Sequence, residues 1–282
     1  MIQTADLRLP SPHARSQARL ASRNGSLISH SVKNLRGRRL ALRGSAICYT
    51  LENFRVALNE RGVSMALTKE AVLQRMRATG LVPVLRAESE TQGFQLAEAI
   101  VAGGVDVLEV TMTVPGALSL MRTLAKERPD ILIGAGTVLD AETARICILE
   151  GAHFIVSPLT NIKTIEMCRR YSIAVLPGAL TPTEVVTAWQ AGADVVKIFP
   201  ASAVGGAAYL KSLKAPLPQV ELIPTGGVSL ATAKEFLEAG AMALGIGADL
   251  VHIKSILAGE PELITAHARK YVEIVREFRE SK

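Results

Sequence analysis

The chain has 282 residues, of which 49% are hydrophobic and 21% are charged, so it is long enough to bury one large core or two small ones. It contains no uncharged run of the roughly 18 residues that a membrane helix requires, and we expect no membrane partner. The net charge of +6 belongs to residues 1–64, which hold 11 Lys and Arg against 3 Asp and Glu, while the rest holds 21 against 23, which disfavours a nucleic-acid partner.

Residues 1–64 form a basic segment rich in Arg and Ser, in which no hydrophobic period persists. We expect a disordered extension, and three interpretations of it stay open. It is a solvated tail or an overlong translation start before Met65, an organellar transit peptide, or a nucleic-acid-binding arm. Residues 65–282 are predicted to form the folded domain.

The folded domain begins with a predicted helix in the sequence LTKEAVLQRMRATG, which covers residues 67–80. Thr68 is the expected N-cap, and Gly80 is the expected stop. The apolar positions Val72, Leu73 and Met76 predict one buried face. A helix therefore precedes the first strand.

Eight short apolar runs follow, with starts roughly 20–26 residues apart, and helical patterns separate them. The runs are LVPVLRA from residue 81, VDVLEVTM from 105, ILIGAGTV from 131, HFIVSP from 153, IAVLPGAL from 173, VVKIFPAS from 195, VELIPTGG from 220 and ALGIGADLV from 243. Several helical patterns end in a glycine that is typical of a helix C-cap. Eight such units predict an α/β fold, a (β/α)8 TIM barrel. An open doubly wound sheet is the alternative, which the absence of an early Gly-x-Gly-x-x-Gly disfavours.

Two ionisable residues lie near the carboxyl ends of predicted strands, where barrels of this kind carry their active sites. Glu109 belongs to the second run and Lys197 to the sixth. Side chains alternate along a strand, so Glu109 shares a face with Val107, and Lys197 shares one with Val195 and Phe199. Burial disfavours a charged lysine, and a neutral amine attacks carbonyl carbons while a nearby carboxylate carries protons. The pair favours Schiff-base chemistry, and a buried ion pair that only fills the barrel is the alternative.

Glycines at the ends of the last two runs indicate an anion site. Gly226 and Gly227 follow the seventh run, and Gly247 with Ala248 ends the eighth, which is the usual phosphate position in such barrels. Glycines let backbone N–H groups approach a phosphate closely. Arg86, at the end of the first run, is suited to a carboxylate or phosphate, with a surface salt bridge as the alternative.

Histidines and cysteines predict neither a metal centre nor a disulfide. The five histidines are scattered without ligand spacing, and the three cysteines include no Cys-x-x-Cys pair. We interpret Cys48, Cys147 and Cys168 as reduced thiols of a cytosolic protein. Each histidine is interpreted as structural or solvated, so no metal and no cofactor is expected.

Five motifs carry a family resemblance that spans residues 66–258. They are GGVDVLEVT around Glu109, GADVVKIFPASAVGG around Lys197, and GAGTV, SP and PTGGV, in the order that the family has them. This set resembles the 2-keto-3-deoxy-6-phosphogluconate (KDPG) aldolases, which are often bifunctional with 4-hydroxy-2-oxoglutarate (KHG) aldolase.

The resemblance implies a class I aldolase, a cytoplasmic homotrimer of the Entner–Doudoroff pathway, which cleaves KDPG to pyruvate and glyceraldehyde 3-phosphate. It implies that Lys197 forms the Schiff base and that Glu109 shuttles protons. Its remaining implied positions bind the phosphorylated keto acid. They are Thr137, Pro158 and Phe199 around the pyruvate part, and Thr225, Gly226, Gly227, Gly247 and Ala248 around the phosphate.

Two positions depart from the family pattern. Thr113 stands where many members carry an Arg that contacts the substrate carboxylate, and Arg86 is expected to supply that charge. Ala248 stands where a Ser can occur. Aldolases for KHG or for 2-keto-3-deoxy-6-phosphogalactonate, the galactonate epimer, therefore stay open as alternatives. A non-catalytic sugar-phosphate-binding barrel and an isomerase or epimerase are more distant ones.

Overall fold

Parallel strands alternate with helices along residues 67–281, the part of the chain that this computed structural model describes. The predicted basic extension, residues 1–64, lies outside the described residues, as does Cys48. The alternation of strand and helix that the sequence predicts is confirmed.

Residues 67–281 contain nine strands and ten α-helices. The strands are β1 (Leu81–Leu85), β2 (Val107–Thr111), β3 (Leu132–Gly136), β4 (Phe154–Val156), β5 (Ala174–Leu176), β6 (Gly178–Ala179), β7 (Val196–Ile198), β8 (Leu222–Pro224) and β9 (Leu244–Ile246). The helices are α1 (Lys69–Thr79), α2 (Glu90–Ala102), α3 (Ala117–Glu127), α4 (Ala141–Leu149), α5 (Ile162–Arg170), α6 (Pro182–Ala191), α7 (Gly206–Lys214), α8 (Ala233–Glu238), α9 (Ile253–Leu257) and α10 (Pro261–Glu280). A 3-10 helix, Ala201–Val204, follows β7.

Helix α1 forms where the sequence predicts it, and its ends follow from local chemistry. The Thr68 side chain accepts a hydrogen bond from the backbone N–H of Ala71 at 3.2 Å, which makes it the N-cap. Gly80 ends the helix in the left-handed region with φ of 71°. Val72 and Met76 are buried, as predicted.

The predicted fifth strand is corrected, because the run IAVLPGAL forms two strands rather than one. Pro177 separates β5 from β6, since proline has no N–H to donate to a strand ladder. Its carbonyl still accepts a hydrogen bond from the backbone N–H of Lys197 at 2.9 Å. The break therefore leaves β6 aligned with β7.

The strands make a curled parallel sheet with helices packed against it. They pair in two groups, in the orders β5-β4-β3-β2-β1-β9 and β6-β7-β8. The groups meet between β8 and β9, where the N–H of Met242 donates to the carbonyl of Leu222 at 2.9 Å and Thr225 bridges Gly245. The carboxyl ends of the strands consequently lie on one edge of the sheet.

One face of the curled sheet is a closely packed apolar layer. Its buried members are Val72, Met76, Val82, Val107, Leu132, Phe154, Val156, Ala174, Leu176, Val195, Ile223, Met242 and Ala243. Val72 and Met76 come from α1, which packs on this layer. Glu109 lies two residues after Val107, and Lys197 lies two residues after Val195. Because side chains alternate along a strand, Glu109 and Lys197 lie on the same face as these valines.

Gly134 on β3 makes room in this layer for the ring of Phe154. A Cβ atom at Gly134 would lie 2.1 Å from Phe154 Cε2, and that ring is fully buried. We expect Gly134→Ala to lower the free energy of unfolding by about 1–3 kcal/mol through overpacking, measured by urea denaturation. Gly247→Ala is the control, since a Cβ there has no neighbour within 4 Å. Equal stability of the two variants would contradict this packing argument.

Candidate functional site

A lysine and a glutamate meet on the apolar face of the sheet. Lys197 on β7 and Glu109 on β2 approach to 3.7 Å between Nζ and Oε1, with side chains 7% and 3% exposed. The register fixes both, because Glu109 pairs with Val84 and Gly134 and Lys197 pairs with Gly178 and Ile223. The structure thus brings together the two residues that the sequence predicts as a catalytic pair.

The contact between the two is an ion pair without a hydrogen bond. At 3.7 Å, Nζ and Oε1 are too far apart for a normal N–H···O bond. Glu109 Oε1 is buried and receives no hydrogen bond from any described residue. Burying such an oxygen is costly, and structural carboxylates normally avoid it. This geometry favours a reactive pair over the alternative of an ion pair that only fills space.

Gly136 on β3 provides the space that the Glu109 carboxylate occupies. A Cβ atom at Gly136 would lie 2.1 Å from Glu109 Oε1 and 2.5 Å from Cγ. Any side chain there would displace the carboxylate from Lys197. This role was not predicted from the sequence, although Gly136 lies two residues beyond Gly134 and therefore on the same face of the strand.

Phe199 adjoins the lysine and shares a cavity with Pro158. The ring centroid of Phe199 lies 5.3 Å from Lys197 Nζ. Phe199 and Pro158 line one cavity of about 320 Å³, which Gly178, Leu180 and neighbouring residues complete. Phe199 thus lies between this cavity and Lys197, which does not itself line the cavity.

Thr137, at the end of β3, adopts an unusual backbone conformation. Its φ of 60° lies in the left-handed region, which a β-branched residue adopts rarely and at a cost. Such outliers cluster at binding and active sites, which agrees with its predicted place in the site.

Hydroxyl groups and one arginine occupy the ends of β1 and β2. Thr111 Oγ1 donates to the carbonyl of Leu85 at 2.9 Å. The Thr111 hydroxyl has only this one proton to donate, so Thr113 Oγ1 is the donor and Thr111 Oγ1 the acceptor in the 2.8 Å hydrogen bond between them. Arg86 follows Leu85, is exposed, and forms no ion pair with another described residue. The alternative of a surface salt bridge at Arg86 receives no support within residues 67–281.

Glycine geometry also shapes the ends of β8 and β9. Gly226 and Gly227 have φ of 90° and 79°, which only glycine adopts readily. A Cβ at Gly227 would lie 2.4 Å from Ser202 Cβ. The backbone amides of Gly227 and Ala248 donate to no other described residue. These free donors suit an anion, as predicted from the sequence.

A polar cluster between the turn after β9 and helix α10 was not predicted from the sequence. Asp249 Oδ2 accepts hydrogen bonds from the hydroxyl of Tyr271 and from Nε2 of His267 at 3.1 Å. The His252 and His267 rings lie 5.7 Å apart. The residues are 18 and 22 positions from Asp249, so only the docking of α10 brings them together.

Residues 67–281 contain two buried free cysteines and no cluster of metal ligands. Cys147 and Cys168 are buried and free, and burial raises the pKa of their thiols to about 11 and about 12. No group of three or more His, Cys, Asp or Glu side chains within this range could hold a metal ion. Within the same range, every helix is too short or too polar to cross a bilayer.

A family profile and several curated proteins match this chain. The profile, described as KDPG and KHG aldolase, matches residues 72–267. The KHG/KDPG aldolase of Escherichia coli (strain K12) is 35% identical over 193 residues, which cover 68% of this chain and 91% of that protein. The 2-dehydro-3-deoxy-phosphogluconate aldolase of Treponema pallidum (strain Nichols) is 34% identical over 203 residues, 72% of this chain and 95% of that protein.

A solved structure gives the same likeness in three dimensions. It is the crystal structure of KDPG aldolase from Legionella pneumophila with pyruvate captured at low pH as a covalent carbinolamine intermediate. It superposes with a TM-score of 0.67 and 31% identity, covering 73% of this chain and 98% of that one. A structure described as native KDPGal superposes with a TM-score of 0.65 and 32% identity, covering 71% of this chain and 96% of that one.

Proposed function

This chain belongs to the KDPG and KHG aldolase family, and from that premise we propose that it cleaves KDPG to pyruvate and glyceraldehyde 3-phosphate through a Schiff base on Lys197. The observation that carries the proposal is the buried contact between Lys197 and Glu109 on an otherwise apolar face. Such an enzyme is a carbon–carbon lyase, and its chemistry requires no metal.

Lys197 is the nucleophile of the proposed reaction. Its Nζ attacks the C2 ketone to give a carbinolamine, and loss of water gives an iminium ion. Glu109, directly or through water, protonates the departing hydroxyl group. Lys197 is buried beside the Glu109 carboxylate, and its attack as a neutral amine requires the loss of one proton, which that carboxylate can accept.

The iminium ion is the electron sink for bond cleavage. Glu109, which is a carboxylate after the loss of water, accepts the C4 hydroxyl proton directly or through water. C4 becomes the carbonyl carbon of glyceraldehyde 3-phosphate, and the C3–C4 bonding electrons form an enamine. Protonation of the enamine at C3 and hydrolysis of the resulting iminium release pyruvate and regenerate Lys197. The water lost in forming the iminium is returned in this step, so the reaction balances.

The remaining site residues bind the two ends of the substrate. Thr137, Pro158 and Phe199 lie around the pyruvate part, and the 5.3 Å distance from the Phe199 ring to Lys197 Nζ supports that placement for Phe199. Arg86, exposed and without an ion pair among the described residues, takes the carboxylate in place of the arginine that Thr113 replaces. The phosphate lies at the β8 and β9 ends, with contacts from Thr225, Gly226, Gly227, Gly247 and Ala248, and supplies binding energy remote from the breaking bond.

Substrate comparison tests the proposed function. Pyruvate release is measured with KDPG, with the galactonate epimer and with KHG, and kcat/KM is expected to be highest for KDPG. Borohydride added with pyruvate should attach pyruvate covalently to the protein. A higher kcat/KM for either other substrate would favour the sister aldolases, and sugar-phosphate binding without trapping would favour a non-catalytic barrel.

Several finer features belong to the same proposal. The curled sheet closes as an eight-stranded barrel in which β5 and β6 form one interrupted strand, and the contacts of β8 with β9 support this. Residues 65–282 are the catalytic domain and residues 1–64 its extension.

The protein is a cytoplasmic homotrimer that acts in the Entner–Doudoroff pathway, and exposed Ile146 and Leu149 on α4 support an apolar subunit interface.

A further inference from the structure

The turn after β9 is attached to α10 through one carboxylate oxygen. Asp249 Oδ2 accepts from the Tyr271 hydroxyl and from His267 Nε2. An ionised carboxylate only accepts, so Nε2 of His267 carries the proton in this contact. Tyr271 is fully buried and the side chains of Asp249 and His267 are about one-third and one-quarter exposed. We call these three residues the Asp249 clamp.

The Asp249 clamp is adjacent to the amides that the proposed phosphate site uses. Asp249 directly follows Ala248 in the sequence. The carbonyl of Gly247 accepts from the N–H groups of Leu250 and Val251 at 3.1 and 3.0 Å, which makes a tight turn. Moving the Asp249 side chain would consequently disturb the backbone that carries the Gly247 and Ala248 amides.

The charge of Asp249 is unfavourable beside a phosphate. A carboxylate near these amides would repel the anion and compete for the same N–H donors. Two donors from α10 hold the carboxylate instead, and one of them comes from a tyrosine whose position is fixed by full burial. The clamp therefore anchors the turn on α10 and provides hydrogen-bond donors for the Asp249 carboxylate.

We infer that Tyr271 and His267 are positioning residues for phosphate binding, which act by holding the Asp249 carboxylate on α10. This inference rests on the proposed function, because it takes the phosphorylated end of the substrate to lie at β8 and β9. Neither residue touches substrate, so their effect is on the affinity for the phosphate group and not on the Schiff base.

Tyr271→Phe tests this inference because it removes one hydroxyl and keeps the buried ring. We expect the KM for KDPG to rise about tenfold, the scale of a lost hydrogen bond to a charged group, while kcat changes little. The KM for KHG, which has no phosphate, is expected to stay unchanged, and so is borohydride trapping of pyruvate. Calorimetry with glyceraldehyde 3-phosphate should show the same loss of affinity without catalysis.

Two further variants separate the clamp from general packing of α10. His267→Leu should raise the KM for KDPG, and His267→Gln, which keeps an N–H donor, should lie closer to the unaltered protein. Thr265→Val is the matched control, because Thr265 Oγ1 ties the same helix to the carbonyl of Ala99 on α2 at 2.8 Å and not to the β9 turn. It should leave both KM values unchanged.

The outcomes distinguish the inference from the proposed function. If the unaltered protein traps no pyruvate, the proposed function is wrong. If trapping is intact but Tyr271→Phe changes the two KM values equally, or changes neither, the clamp has no role in phosphate binding. The same KM split in Thr265→Val would also overturn the inference.

Discussion

Replacing Lys197 with alanine is expected to abolish borohydride trapping of pyruvate and to lower kcat by on the order of 10⁴-fold or more. Lys197 is the only buried lysine within residues 67–281, and its Nζ lies 3.7 Å from the Glu109 carboxylate. Without the amine there is no iminium ion and hence no electron sink for C3–C4 cleavage. Pyruvate release from KDPG and mass spectrometry of the reduced protein measure the two effects.

A second lysine variant shows that the loss is specific. Lys211 on α7 is exposed, so Lys211→Ala should trap pyruvate and turn over normally. Far-ultraviolet circular dichroism shows whether Lys197→Ala keeps its fold. If the alanine variant is folded and still traps pyruvate, then another lysine forms the Schiff base and the assignment is wrong.

Strand alternation explains why the central pair could be predicted from the sequence. An apolar strand with a period of two commits every second residue to one face, so Val107 and Glu109 share a face, as do Val195 and Lys197. The structure confirms both pairings, since both valines belong to the apolar layer beneath the site. To predict that Glu109 and Lys197 meet, it was enough to know the sheet face of each side chain and its place near the carboxyl end of its strand. Neither depends on the exact register of the strands.

The fifth strand shows where a local signal was available and not used. A proline inside a run that otherwise predicts a strand indicates an edge or a break. Pro177 stands at the centre of IAVLPGAL and divides β5 from β6. The sequence therefore predicted the eight runs, and the structure divides the fifth of them into two short strands.

Other features depend on three-dimensional docking that no local pattern contains. The room that Gly136 leaves for Glu109 follows from the register of β2 against β3, in which Thr111 pairs with Gly136. The Asp249 clamp follows from how α10 packs against the β9 turn, which brings together Asp249 and Tyr271 although they are 22 positions apart in the sequence. Periodicity predicts which face of a helix is buried but not which partner it meets.

Glu109→Gln is expected to lower kcat by about 10²–10⁴-fold, the range of a lost general acid–base, with a smaller change in KM. Glutamine has nearly the same shape, so the variant removes the ability to exchange a proton and retains the packing against Gly136. The control is Glu98→Gln, since Glu98 pairs with Arg128 away from the site, and its kcat should be unchanged. Steady-state pyruvate release measures both variants.

Position and chemistry at Glu109 can be separated with one further variant. Gly136→Ala leaves the carboxylate chemically intact but places a Cβ 2.1 Å from the present position of Oε1, so the carboxylate must leave the position that it now has beside Lys197. If Glu109 carries protons to and from groups at Lys197, both Glu109→Gln and Gly136→Ala lose turnover, and combining them costs little more than either alone. Full activity in Glu109→Gln would contradict the role, and independent, additive losses would mean that Gly136 acts on something other than this carboxylate.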